Sequence, residues 1–266
     1  VVLLLSGLLP AGDESMNTQF ASIAALLGVL LIGAIAQAET PTPERLLEDS
    51  IAYHDPNGVW NEGAIVLSIH TEYSPAFAAK RGRSESTVEI LLDPAGDDFR
   101  YSLNAGDDVI EYAIASGVGR VVLNGSDTIS DEDRERLRIS TPESYRDYCE
   151  YVYGLPMKLR DPGTRLGEVV ESAQFDGREV WRLRVTYDPE VGSDIWYFYF
   201  DPDSAALIGS QFFHDELARD GEYIVYEAEV EDSATGLRLP QSRSWYYNFD
   251  DGHLATDTVL SLHRLE

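Results

Sequence analysis

Ile195-Trp196-Tyr197-Phe198-Tyr199-Phe200 puts six large apolar or aromatic residues in a row, and its reading decides the fold. Just before it runs Val180-Trp181-Arg182-Leu183-Arg184-Val185-Thr186-Tyr187. There Trp181, Leu183, Val185 and Tyr187 share one face, and Arg182 and Arg184 the other. A period of two marks strands, because successive side chains point to opposite faces. Such runs repeat from Glu179 to Leu262, broken by the turn residues Asp201-Pro202-Asp203, Arg219-Asp220-Gly221, Asp232 to Gly236 and Asp250-Asp251-Gly252. Short turns between strands predict an antiparallel meander. Its aromatic face needs a cover.

Working outward, Ile65 to Tyr73, Thr87 to Leu92, Phe99 to Leu103, Val109 to Ala115 and Val118 to Asn124 read as earlier strands. Between the first two, Ser74 to Arg83 reads as a loop whose Lys80, Arg81 and Arg83 form a basic island. Thr42 as N-cap, Pro43 at the first helical position, and Leu47, Ile51 and His54 on one face predict a helix that ends before Pro56. A helical insert interrupts the strands. Ser130-Asp131-Glu132-Asp133 starts one helix, and Thr141-Pro142 starts another that carries Tyr145, Tyr148, Cys149 and Val152 on one face. The sheet resumes after Asp161-Pro162-Gly163. A sheet of about ten strands must curl, split or close. The predicted fold is therefore mainly β, a strongly curved antiparallel sheet wrapped around helices as an unclosed β-barrel. A closed lipocalin-like barrel is the second reading.

The 266 residues include 47 acidic against 20 basic, a net charge of -27. That balance argues against a nucleic-acid partner, since phosphate binding needs clustered Lys and Arg. From Met16, an apolar run from Ala21 to Ala36 leads to Ala36-Gln37-Ala38. This predicts a signal peptide over 16–38, cut after Ala38, and a periplasmic or secreted protein. An uncleaved anchor is the alternative. Residues 1–15 read as a mis-extended or partial upstream segment, and 39–266 as a single domain. Cys149 is the only cysteine, so no internal disulfide forms.

Taken together, signal peptide, helix, strands, helical insert and long meander resemble the LolA/LolB-like fold. Tyr53-His54-Asp55-Pro56-Asn57-Gly58-Val59-Trp60 and Tyr153-Gly154-Leu155-Pro156-Met157-Lys158-Leu159 resemble an uncharacterised bacterial family associated with that fold. The resemblance implies an envelope protein whose open barrel, lidded by helices, binds a lipid, an acyl chain or another apolar molecule. No functional residue of the lipoprotein carriers maps onto this sequence.

Trp181, Trp196, Phe198, Phe200 and Trp245 are the candidate ligand-binding residues of the sheet, with Tyr145 and Tyr148 on the lid helix. Aromatic residues at alternating positions can line an apolar pocket or simply fill a core. His54 and Asp55 can be a base and its orienter, or a helix end and a turn residue. His214-Asp215 on one strand point to opposite faces and do not easily serve one site. No nucleophile motif, metal-ligand spacing or cofactor fingerprint stands out, so catalytic residue, metal and cofactor are all expected to be none. Three functions remain open. One is an apolar-ligand binder, one a hydrolase built on His54 and Asp55, and one a filled-core module for an envelope protein partner.

Overall fold

Among the described residues, twelve strands make one antiparallel sheet, in two meanders. The first runs through β1 (Ile65–Tyr73), β2 (Glu85–Leu92), β3 (Phe99–Ala105), β4 (Asp108–Ala115) and β5 (Val118–Leu123). The second runs through β6 (Thr164–Phe175), β7 (Arg178–Tyr187), β8 (Ile195–Phe200), β9 (Leu207–Phe213), β10 (Glu222–Glu231), β11 (Arg238–Tyr247) and β12 (His253–Arg264). Across the sheet the order is β5-β4-β3-β2-β1-β12-β11-β10-β9-β8-β7-β6. Among the described residues, only β1 and β12 pair out of sequence order, in a ladder from Ile65 with Arg264 to Tyr73 with Ala255. Strands β5 and β6 are edges that no ladder joins, so the barrel is unclosed and the lipocalin-like alternative falls.

The computed structural model describes residues 40–96 and 98–265. The expected signal peptide and upstream segment lie outside them. Residues Glu39–Glu266 make up one structural unit. Among the described residues, no helix is long and apolar enough to cross a membrane.

The first helix, α1 (Pro43–His54), starts as its sequence dictates: Arg45 N–H donates to Thr42 Oγ1 at 3.2 Å. Leu46, Leu47, Ile51 and His54 form its buried face. Ser74 to Arg83 corrects the sequence reading. It holds a short helix, α2 (Pro75–Arg81), capped by Ser74 Oγ at 3.3 Å from Phe77 N and ended by Gly82 at φ 71°. No residue of α2 is buried, so no apolar stripe betrayed it. After β5 come α3 (Asp131–Leu137) and α4 (Pro142–Tyr153), capped by Ser130 and Thr141. A single 3-10 turn, Met157–Arg160, follows.

Twelve strands exceed the about ten expected because an edge strand shows no clean period. Along β6 only Val170 is buried. Helix α1 packs on β6 and β11, and α4 on β2 to β5. Both feed the same core as the strands, so the sheet wraps around its helices. Bulges at Ser68/Ile69, Leu166/Val170, Tyr199/Phe200 and Trp245/Tyr246 help it bend. Where α4 ends, Gly154 admits Trp60: a Cβ there would meet the indole Cζ2 at 2.5 Å.

Candidate ligand-binding site

Under α4 the concave side holds a half-open cavity of about 690 Å³. That is within the roughly 300–1,000 Å³ of small-molecule sites. Helix α4 forms its roof because Tyr145, Tyr148, Tyr151 and Val152 fall on the face turned to the sheet. Tyr145 packs on Tyr112 at 4.2 Å between ring centres and on Tyr101 at 5.0 Å. At the other end Tyr151 meets Trp196 edge-on at 5.2 Å, and its hydroxyl shares a 2.5 Å hydrogen bond with Tyr187. Burial pushes the Tyr187 hydroxyl up to about 12, so this pair stays neutral. Trp196 also stacks with Phe198 and Phe212, at 5.8 and 4.9 Å.

Of the seven residues singled out in the sequence, Trp196, Trp245, Tyr145 and Tyr148 line this cavity. Phe198 and Phe200 follow Trp196 along β8 but have no exposed surface and lie in the core. Trp181, opposite Phe200 in the β7–β8 ladder, is part-buried against that core. The cavity also holds polar groups that the sequence did not announce. Asp257 accepts from Thr71 Oγ1 at 2.7 Å and from Trp245 Nε1 at 2.9 Å. Burial raises its carboxyl above the ordinary value, against those two hydrogen bonds and the charge of Arg243. Arg243 faces Asp257 in the β11–β12 ladder and is only 1% exposed. Its guanidinium lies 4.6 Å from the Tyr153 ring centre and 5.9 Å from that of Tyr226. Those ring faces stabilise a buried cation whose Nε and Nη1 find no hydrogen-bond partner. Signals for this pairing exist only in the register, which joins residues from different strands.

His54 and Asp55 lie elsewhere. His54 Nε2 accepts from Leu207 N–H at 2.9 Å, which leaves Nδ1–H to donate to the Arg238 carbonyl at 2.9 Å. Asp55 accepts from Val59 N at 2.8 Å and Trp60 N at 3.0 Å. Both His54 nitrogens are thus occupied by backbone, and the ring has no exposed surface. The pair pins α1 and its exit turn to β9 and β11. Burial lowers His54 to about 4, with the nearby Arg238 and Arg243 charges acting in the same direction. Below about pH 6.5 the unfolded chain takes up a proton that the folded chain refuses. The stability this site contributes is therefore complete above pH 6.5 and lost as pH falls toward 4, by about 3 kcal/mol in all. His54→Gln removes that titration. The urea-stability gap between wild type and variant is expected to narrow from pH 7 to pH 4, and a constant gap would refute the neutral-imidazole assignment.

Cys149 has no exposed surface, and burial pushes its thiol well above the ordinary range. A thiol held protonated is no nucleophile. His214 pairs with Asp194 at 2.7 Å and not with its neighbour Asp215, and that hydrogen bond raises the imidazole. Among the described residues, no group of three His, Cys, Asp or Glu is placed to hold a metal ion.

A family model described as a family of unknown function, DUF6503, matches residues 23–261. No curated protein matches the sequence. Among solved structures, the chain is similar to a LolA superfamily protein from Nitrosomonas europaea, at 10% identity and a TM-score of 0.48, over 85% of this chain and 94% of that one. It is similar to a DUF1329 family protein from Desulfovibrio piger, at 8% identity and a TM-score of 0.47, over 84% and 92%. A third similarity is to LprF from Mycobacterium bovis, at 12% identity and a TM-score of 0.31, over 84% and 95%. These values carry no function to this chain. The unclosed antiparallel sheet around helices is the LolA-like layout expected from the sequence.

Proposed function

The chain belongs to the DUF6503 family, a family of unknown function, and from that footing we propose that it is an exported, non-enzymatic envelope protein that holds the apolar part of a lipid or similar ligand. The observation that carries this reading is the aromatic cavity of about 690 Å³ between α4 and the concave face. Its lining joins Trp196, Phe212 and Trp245 to Tyr145 and Tyr148 in an aromatic wall, beside a polar part that holds Arg81, Arg83 and Asp257. That is the composition of a small-molecule site. Export rests on the sequence, through the apolar run and the Ala36-Gln37-Ala38 cleavage pattern. Against the hydrolase alternative stands the bonding of His54 and Asp55 described above, which leaves no ring nitrogen to move a proton.

Native mass spectrometry on protein purified without detergent from a periplasmic extract tests the reading. The expected result is a co-purifying mass that denaturation releases as lipid. A clean apo mass, with no lipid uptake on later incubation, would leave the filled-core module in its place.

A further inference from the structure

The acid excess of the chain makes its basic island stand out. Arg81 and Arg83 both line the cavity, on the side formed by α2 and the start of β2. Each guanidinium lies near an aromatic ring: Arg81 at 4.9 Å from the centre of Phe77, Arg83 at 5.6 Å from that of Tyr73. Among the described residues neither makes an ion pair, whereas Arg45, Arg136, Arg182 and Arg238 each sit on a carboxylate. Arg83 Nε is buried and has no hydrogen-bond partner. A buried donor left unpaired is costly, and a planar guanidinium matches a carboxylate or phosphate in a two-point contact.

Resting on the apolar-ligand reading, we propose that Arg81 and Arg83 hold the anionic head group, a carboxylate or a phosphate monoester, of an amphiphile whose chain fills the cavity. The three carboxylates of the cavity leave that corner to an anion. Asp194 is held by His214, and Asp257 by Thr71 and Trp245. Glu222 is the one whose charge reaches Arg81, yet no oxygen of it lies within ion-pair distance of the guanidinium, and burial raises its carboxyl toward the neutral form. The aromatic seats fix both cations at the edge of the aromatic cavity, as an amphiphile with one charged end requires.

Titration calorimetry of the exported protein with oleic acid, oleoyl lysophosphatidate and methyl oleate tests this. Wild type is expected to bind the two anionic amphiphiles at least about tenfold more tightly than the neutral ester. The double variant Arg81→Gln, Arg83→Gln is expected to lose that margin while holding methyl oleate within about twofold. Arg81 is exposed and Arg83 only partly buried, on a short helix that buries nothing and its exit, so the variant is expected to fold, which circular dichroism checks. The stronger of the two anionic ligands identifies the head group as carboxylate or phosphate. Equal binding of ester and acid by wild type, or an unchanged margin in the variant, overturns the head-group assignment and leaves the cavity reading standing. No binding of any of the three overturns both.

Discussion

Trp196→Asp is expected to leave a folded protein whose affinity for an acyl chain falls by about 100-fold or more. Trp196 stands where β8 meets the roof, touching Tyr151, Phe198 and Phe212 with its ring and facing the cavity. A carboxylate there replaces a ring that packs on Tyr151, Phe198 and Phe212. A chain that fills the cavity must then strip its water, which costs about 3 kcal/mol or more. Trp196→Leu keeps the wall apolar and is expected to retain binding. Circular dichroism checks the fold, and Tyr148→Asp repeats the test at a second lining position, on α4. Unchanged affinity in both folded aspartate variants would sink the cavity reading.

Trp60→Ala is expected to lower stability by about 3–5 kcal/mol, measured by urea denaturation. The side chain is 1% exposed and among the largest fully buried in the protein. Asp55 fixes its backbone, and Gly154 opens the space its ring fills. Loss of the ring leaves a void between the exit of α1 and the end of α4. Total stabilities run about 5–15 kcal/mol, so the variant is expected to be marginal at physiological temperature. A loss below about 1 kcal/mol would mean that the site collapses and the anchor role is wrong.

Local physics made much of this fold legible. The caps at Thr42 and Thr141, and the alternation in β1 and β7, are decided by neighbours in sequence. Helix α2 escaped because it buries nothing, although Ser74, Pro75 and Gly82 bracket it. Period two put Trp196, Phe198 and Phe200 on one face, but depth along that face depends on where α1 and α4 land. Only tertiary packing separates the cavity end from the core end. The outer face carries aromatics as well. Phe175 stacks on Tyr199 at 3.9 Å and crosses Gly209, where a Cβ would clash with its ring. Arg243 opposite Asp257, and Arg83 with its unpaired Nε, needed ladders and burial to be seen.

In a closed barrel, strand number and shear fix the bore, and no single segment can change it. Here the two free edges hand that choice to α4. Its Tyr145 braces the first meander through Tyr101 and Tyr112, and its Tyr151 braces the second through Tyr187 and Trp196. The six residue steps of helix from Tyr145 to Tyr151 make a strut of roughly 9 Å. The gauge of the cavity is thus written in one twelve-residue helix. Lengthening or shortening that strut would resize the ligand space while every strand kept its register, so ligand size can diverge between relatives without any change to the sheet.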